Sequence, residues 1–277
     1  MNQKVQCELC PKGCVIGPGQ SGDCRVRINI DGTLRTVVYG YPCSMHIDPV
    51  EKKPVFHFLP GTPILSLATV GCNLHCLNCQ NWEISQCNPE DSTAMPIPPE
   101  QLVEIARQRA CPSIAYTYTE PIAYYEYAYD TSRLARQAGI RTVLVTAGYC
   151  NPEPWKRLLE VTDAARIDLK SMSEDFYRKI CSATLAPVLR SLVDAVAMGV
   201  HVEVINLVIP TLNDKPEEIR RLARWVKDNL GSEIPVHFSG FYPQYKMRHL
   251  PPTPLATLDL AREIAMEEGL YYVYIGN

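Results

Sequence analysis

The chain has 277 residues, of which 46% are hydrophobic and 21% charged, with a formal net charge of -3. This is a globular composition, able to bury one large core and carry a small appendage. It lacks an apolar run long enough to span a bilayer, so no membrane partner is expected, and net charge gives no sign of a nucleic-acid partner.

The opening residues "MNQKVQCELCPKGC" lack the basic and apolar regions of a signal peptide, and a cytoplasmic location is expected. Of the 12 cysteines, most fall in the first 80 residues. A secreted disulfide scaffold of that density is short and carries an export signal. Metal or cluster ligation in a reducing compartment accounts for them better.

Residues 1–60 read as a separate cysteine-rich metal-binding module. Cys7-x2-Cys10-x3-Cys14-x9-Cys24 gathers four thiols in a short segment, and Gly13, Gly17, Gly19 and Gly22 let the backbone turn tightly around an ion. Four thiolates in such a knuckle predict a closed structural site, zinc or a second Fe–S cluster. Arg25–Ile30 and Leu34–Tyr39 alternate around Asp31-Gly32, a hairpin signal. The following "YPCSMHIDPVEKKPVFHFLPG" is polar and proline-punctuated, with no strand assigned. There Cys43, His46 and His57 read as packing or hydrogen-bonding residues, and Asp48, Glu51, Lys52 and Lys53 as a solvated or ion-paired stretch.

Residues 61–277 alternate strand and helix. The apolar run Ile64–Val70 predicts a buried strand, and Cys72, Cys76 and Cys79, spaced C-x3-C-x2-C, lie in the loop at its C-terminal end. A single zinc wants a fourth strong ligand and a disulfide leaves one thiol over. Three thiolates suit a [4Fe–4S] cube with three irons held by protein and one left open. Leu102, Ile105 and Ala106 give the first outer helix its apolar face. Further strands are predicted over Ser113–Tyr118, Thr142–Thr146, Ala164–Lys170, His201–Ile209, Val236–Phe241 and Tyr271–Ile275. Helices between them start at Pro121 and near Pro154, and run over Leu189–Ala197, Ile219–Val226 and Leu258–Ala265. Gly139, Gly199, Gly231 and Gly269 stop four of them. This repetition predicts an α/β fold, a partial (β/α)6 open TIM-type barrel beside the small N-terminal module; a doubly wound sheet is the alternative. In either, functional residues belong at the C-terminal ends of the strands.

The segments "GCNLHCLNCQNWEISQ", "AYTYTEP", "DLKSM" and "HFSGFYPQYKM" resemble motifs of the radical S-adenosylmethionine (SAM) superfamily. With "CELCPKGC" and "DPVEKKPVFHFLPG", nearly the whole chain resembles the radical SAM enzymes of the AmmeMemoRadiSam system, relatives of the pyruvate formate-lyase activating enzymes. Many such relatives continue past "YVYIGN" into a cysteine-containing tail, which this sequence does not include.

The resemblance implies a [4Fe–4S] cluster on Cys72, Cys76 and Cys79 that reductively cleaves SAM to a 5'-deoxyadenosyl radical, which takes hydrogen from a substrate. It implies SAM contacts at Tyr118, Thr119 and Glu120, at Thr146, at Asp168 and Lys170, at Asn206 and at His237. Glu120 would receive the ammonium; as a structural residue it would be a helix-start carboxylate. Tyr118 and Thr119 stand where the superfamily has glycines, and Asn78 where it has an aromatic residue. A reducing partner such as flavodoxin or ferredoxin is implied, with a protein substrate or system partner proteins. Two alternatives remain: activation of a glycyl-radical enzyme, and a non-catalytic Fe–S or zinc scaffold.

Overall fold

The computed structural model describes residues 4–276; residues 1–3 and Asn277, at the ends of the two expected segments, lie outside the described residues. Two short strands, β1 (Val5–Gln6) and β2 (Val15–Ile16), pair antiparallel and frame the cysteine knuckle. A hairpin follows, β3 (Arg27–Ile30) and β4 (Thr33–Thr36), turning at Asp31 and Gly32. Both turn residues have positive φ, 51° and 79°, which is the geometry that favours glycine in a two-residue hairpin loop.

Strand β5 (Ser44–Pro49) then runs antiparallel to β6 (Pro63–Ala68) in the large sheet. Its segment had no strand signal: five of its six residues are half-buried or less, so hydrogen bonding to β6, not an apolar face, defines it. From β6 onward the chain alternates. A short helix α1 (Trp82–Ser85) and α2 (Pro99–Gln108) lead to β7 (Ser113–Tyr116). Next come α3 (Tyr125–Gln137), β8 (Arg141–Thr146), α4 (Pro152–Leu159) and β9 (Ala164–Asp168). The single turn α5 (Glu174–Phe176) passes into a π-helical turn at Tyr177–Cys181, and α6 (Leu185–Ala197) precedes β10 (His201–Val208). The chain closes with α7 (Pro216–Asn229), β11 (Val236–Gly240), α8 (Leu255–Glu267) and β12 (Val273–Gly276).

The sheet order is β12-β11-β10-β9-β8-β7-β6-β5, with β6 to β12 all parallel. Six βα units and a seventh parallel strand make the expected open barrel, and β5 and β12 are its two unpaired edges. Proline in the first turn starts α2, α4 and α7, where its missing N–H costs nothing, and Glu100, Glu153 and Glu217 complement the helix dipole. Gly139, Gly199 and Gly269, all at positive φ, follow the ends of α3, α6 and α8. No single helix among the described residues is long and apolar enough to cross a membrane.

The main core lies between the sheet and its helices. A second apolar cluster, Val50, Val55, Ile64, Ala115, Val143 and Ala164, fills the barrel's N-terminal end. The segment after β5 is pinned there by Glu203, whose buried carboxylate accepts the backbone N–H of Phe56 (2.9 Å) and His57 (2.8 Å). His201 (3.0 Å) and His237 (2.6 Å) meet the same carboxylate through Nε2. Burial alone would raise Glu203, but these four partners outweigh it and hold it at about 2.

A folded-state value depressed from the usual 4.5 contributes stability that is complete above about pH 5 and is lost as pH falls through 2. The difference corresponds to about 3 kcal/mol. Urea unfolding at pH 6 and pH 2 is expected to show the native chain losing about that much more than Glu203→Gln. Equal losses in the two proteins would remove Glu203 as the anchor.

Candidate active site

The site is a cavity of about 440 Å3 at the C-terminal ends of β6 to β11, within the roughly 300–1,000 Å3 of small-ligand pockets. Cys72, Cys76 and Cys79 line it from the loop after β6. That loop is tied down along its length. Gly71 N–H donates to Ile84 O (3.0 Å), His75 N–H to Cys181 O (3.1 Å) and Leu77 N–H to Ile180 O (2.9 Å). The π-helical turn thus lies along the cysteine loop as a backbone brace. Ser85 Oγ is 3.3 Å from Cys79 Sγ, and Leu74 N–H points at Cys72 Sγ (3.4 Å). A hydrogen bond with the buried Cys181 thiol draws Cys76 down to about 7 against burial, whereas burial pushes Cys72 and Cys79 up.

The loop also leans on the N-terminal module. His75 reaches Asp23 (3.0 Å) with Nε2 and Gln86 (2.7 Å) with Nδ1, and Asp23 pairs with Lys12 (2.8 Å). Gly71 has φ 91°, and a Cβ there would stand 2.5 Å from Val26 Cγ1 and 2.7 Å from Cys24 O. Cys7, Cys10, Cys14 and Cys24 all line a smaller cavity of their own, which shares Asn73 with the cysteine loop. Burial pushes Cys10 up to about 11. All 12 cysteines are free thiols, and among the described residues no three His, Cys, Asp or Glu side chains are already gathered around one ion position.

The strand ends supply the rest. Thr117, Tyr118, Thr119 and Glu120 follow β7 into the cavity lining, and Thr146 and Ala147 close β8. The Glu120 carboxylate accepts Thr146 Oγ1–H and, at 2.8 Å, the Ala147 N–H; it also caps the turn at Pro121 through Ile122 N–H. Burial lifts it to about 7 despite those bonds. On β9, alternation places Arg166 and Asp168 on the cavity face, and Lys170, two residues past its end, joins them, with Asp168 bonded to Arg166 and to Lys170 (2.7 Å).

Nine of the expected residues therefore meet in one cavity: three cysteines, Tyr118, Thr119, Glu120, Thr146, Asp168 and Lys170. Asn206 and His237 are not in its lining. Asn206 turns its amide to Leu169 O (2.7 Å), and His237 sits one inward-facing step too deep on β11, against Glu203, while Ser239 takes the cavity position. Sequence reasoning missed Arg166, although the period of β9 put it on the face of Asp168. It also gave Lys53 no place in the site, yet this lysine is buried at the cavity wall.

The cavity fits a cluster with a small zwitterionic ligand. Three thiols stand on one wall, a carboxylate and a Lys–Asp pair on the next, and Asn78 Oδ1 is buried at the lining with no partner among the described residues. A buried acceptor left unpaired is costly unless a ligand satisfies it.

A profile of the radical SAM superfamily matches residues 66–226. The uncharacterized protein MJ0808 of Methanocaldococcus jannaschii is 50% identical over 276 residues, spanning 100% of this chain and 82% of that one. The pyruvate formate-lyase-activating enzyme of Clostridium pasteurianum is 28% identical over 182 residues, 61% of this chain and 74% of the relative. Among solved structures, a radical SAM methyltransferase from Sphaerobacter thermophilus shares the fold with a TM-score of 0.60 at 14% identity, covering 79% of this chain and 67% of that one.

Proposed function

Since the chain belongs to the radical SAM superfamily, we propose that it is an enzyme whose cluster is held by Cys72, Cys76 and Cys79 and whose SAM lies along the strand ends between Glu120 and the Asp168–Lys170 pair. The observation that carries this reading is the convergence of those six side chains on one cavity. When bound, the cluster and SAM supply one-electron cleavage of the sulfonium and hydrogen abstraction from a second reactant. The chain's own work is placement and shielding. Glu120 is already aimed by Ala147 and Thr146, so it can receive an ammonium without rearrangement. Lys170 offers a cation to a carboxylate while Asp168 holds it in position. Ile205, Leu207 and Ile209 present an apolar wall from β10 that keeps water from a reactive centre. Cys7, Cys10, Cys14 and Cys24 are proposed to hold a structural ion, zinc or a second cluster, that stiffens the module on which the cysteine loop leans.

A second reading, hydrogen abstraction from a backbone glycine of a partner polypeptide, is supported by the activating-enzyme relatives.

Anaerobic reconstitution with iron and sulfide, followed by dithionite and SAM, is expected to release 5'-deoxyadenosine and methionine. Release no greater than from dithionite and SAM without protein would overturn the enzyme reading. A glycyl-radical signal in an added partner would favour the second reading over modification of a small molecule.

A further inference from the structure

The cavity has a cationic wall that SAM does not account for. Lys52, Lys53, Arg166 and Lys170 all line it, and the two carboxylates that pair with them, Asp48 and Asp168, each serve two cations. The remaining carboxylate of the lining, Glu120, is taken by neutral donors. Cations are therefore in surplus. Arg166 lies deeper than the strand-end groups, opposite Val145 of β8 and Glu203 of β10, and its Nε is buried with no partner among the described residues. A guanidinium has five donors in a fixed fork suited to a planar or tetrahedral oxyanion. Burial lowers the proton affinity of Lys53 although Asp48 raises it, and repulsion from Lys52 and Arg166 adds to the lowering.

The wall is also built at some conformational cost. Tyr118, an aromatic residue, adopts φ 63°, a region that only glycine, asparagine and aspartate visit readily. Its hydroxyl donates to Asp48 (2.6 Å), its carbonyl accepts from Asn81 Nδ2 (2.7 Å), and Lys53 Nζ lies 5.0 Å from its ring centroid. Asp48, Lys53 and Tyr118 thus lock one another, and strain held this way is characteristic of ligand walls.

We propose that Lys52, Lys53 and Arg166 receive an oxyanion, a carboxylate or a phosphate, carried by the second reactant. The assignment of that reactant rests on the radical SAM reading; the anion site does not.

Calorimetric titration of inorganic phosphate and, separately, of succinate into the SAM-saturated, reconstituted protein tests it and tells the two oxyanion sources apart. At least one is expected to bind, and about tenfold or more weaker to Arg166→Gln and to the double variant Asp48→Asn/Lys53→Met. The double variant removes the buried pair together, and thermal melting of each variant checks that it folds. In both variants SAM affinity should fall by less than anion affinity does. The site is overturned if neither anion binds, if binding survives in both folded variants, or if the anions compete with SAM and the variants lose it, since the cations would then hold SAM's own carboxylate. If the native protein does not bind SAM, the radical SAM function falls, and the same titrations without SAM still decide the anion site.

Discussion

Cys76→Ala is expected to reduce 5'-deoxyadenosine formation to background, at least about a thousandfold, equivalent to about 4 kcal/mol of barrier. The loop offers no replacement: its other two thiols, Cys72 and Cys79, are the remaining ligands of the same proposed set. Two thiolates hold a cube poorly, so iron per chain should fall with activity. Cys181→Ala is the informative control. It also deletes a buried thiol beside Cys76, and it leaves the backbone brace to His75 and Leu77 in place because those bonds use carbonyls. Retained iron and product in Cys181→Ala, with both lost in Cys76→Ala, separate ligation from packing. Metal remaining in a Cys72/Cys76/Cys79 triple variant would belong to the N-terminal thiols, and its identity as zinc or iron names that site.

Gly71→Ala is expected to be about as damaging as losing a ligand, without touching one. Its Cβ would meet Val26, a core residue, and the Cys24 carbonyl, a backbone atom that cannot swing aside. A left-handed φ of 91° adds about 1–2 kcal/mol for any L side chain and overpacking adds about 1–3, so about 2–5 kcal/mol is expected from urea unfolding. Gly139→Ala provides the comparison, because φ is 74° there but nothing lies within 4 Å; about 1–2 kcal/mol is expected. If the two substitutions cost the same, the close approach of the N-terminal module to the cysteine loop is not what Gly71 serves.

The barrel was legible because its signals are local. Apolar runs mark the strands, prolines and acidic residues mark helix starts, and glycines mark their ends. Strand β5 was not, because a half-exposed, proline-bounded segment becomes a strand only through a distant partner. The same division runs through the site. Cys72, Cys76 and Cys79 are set by spacing within one loop, and Asp168 and Lys170 by alternation at one strand's end. His237 was on the right face at the wrong depth, since period gives the side of a strand but not how far along the barrel a residue lies. Lys53 reads in sequence like any ion-paired surface lysine. Only the return of Asp48 and Tyr118 to the same wall shows that its pair is buried.

The hold of Glu203 on Phe56 and His57 has a kinetic corollary. With the barrel's lower end filled by Val50, Val55 and their neighbours, the cavity is a cul-de-sac. On the proposed reading, whatever is consumed there and whatever is left over pass by the C-terminal end of the barrel, beside Cys72, Cys76 and Cys79. On that reading, a spent ligand there would block the next one until it left by the side it entered.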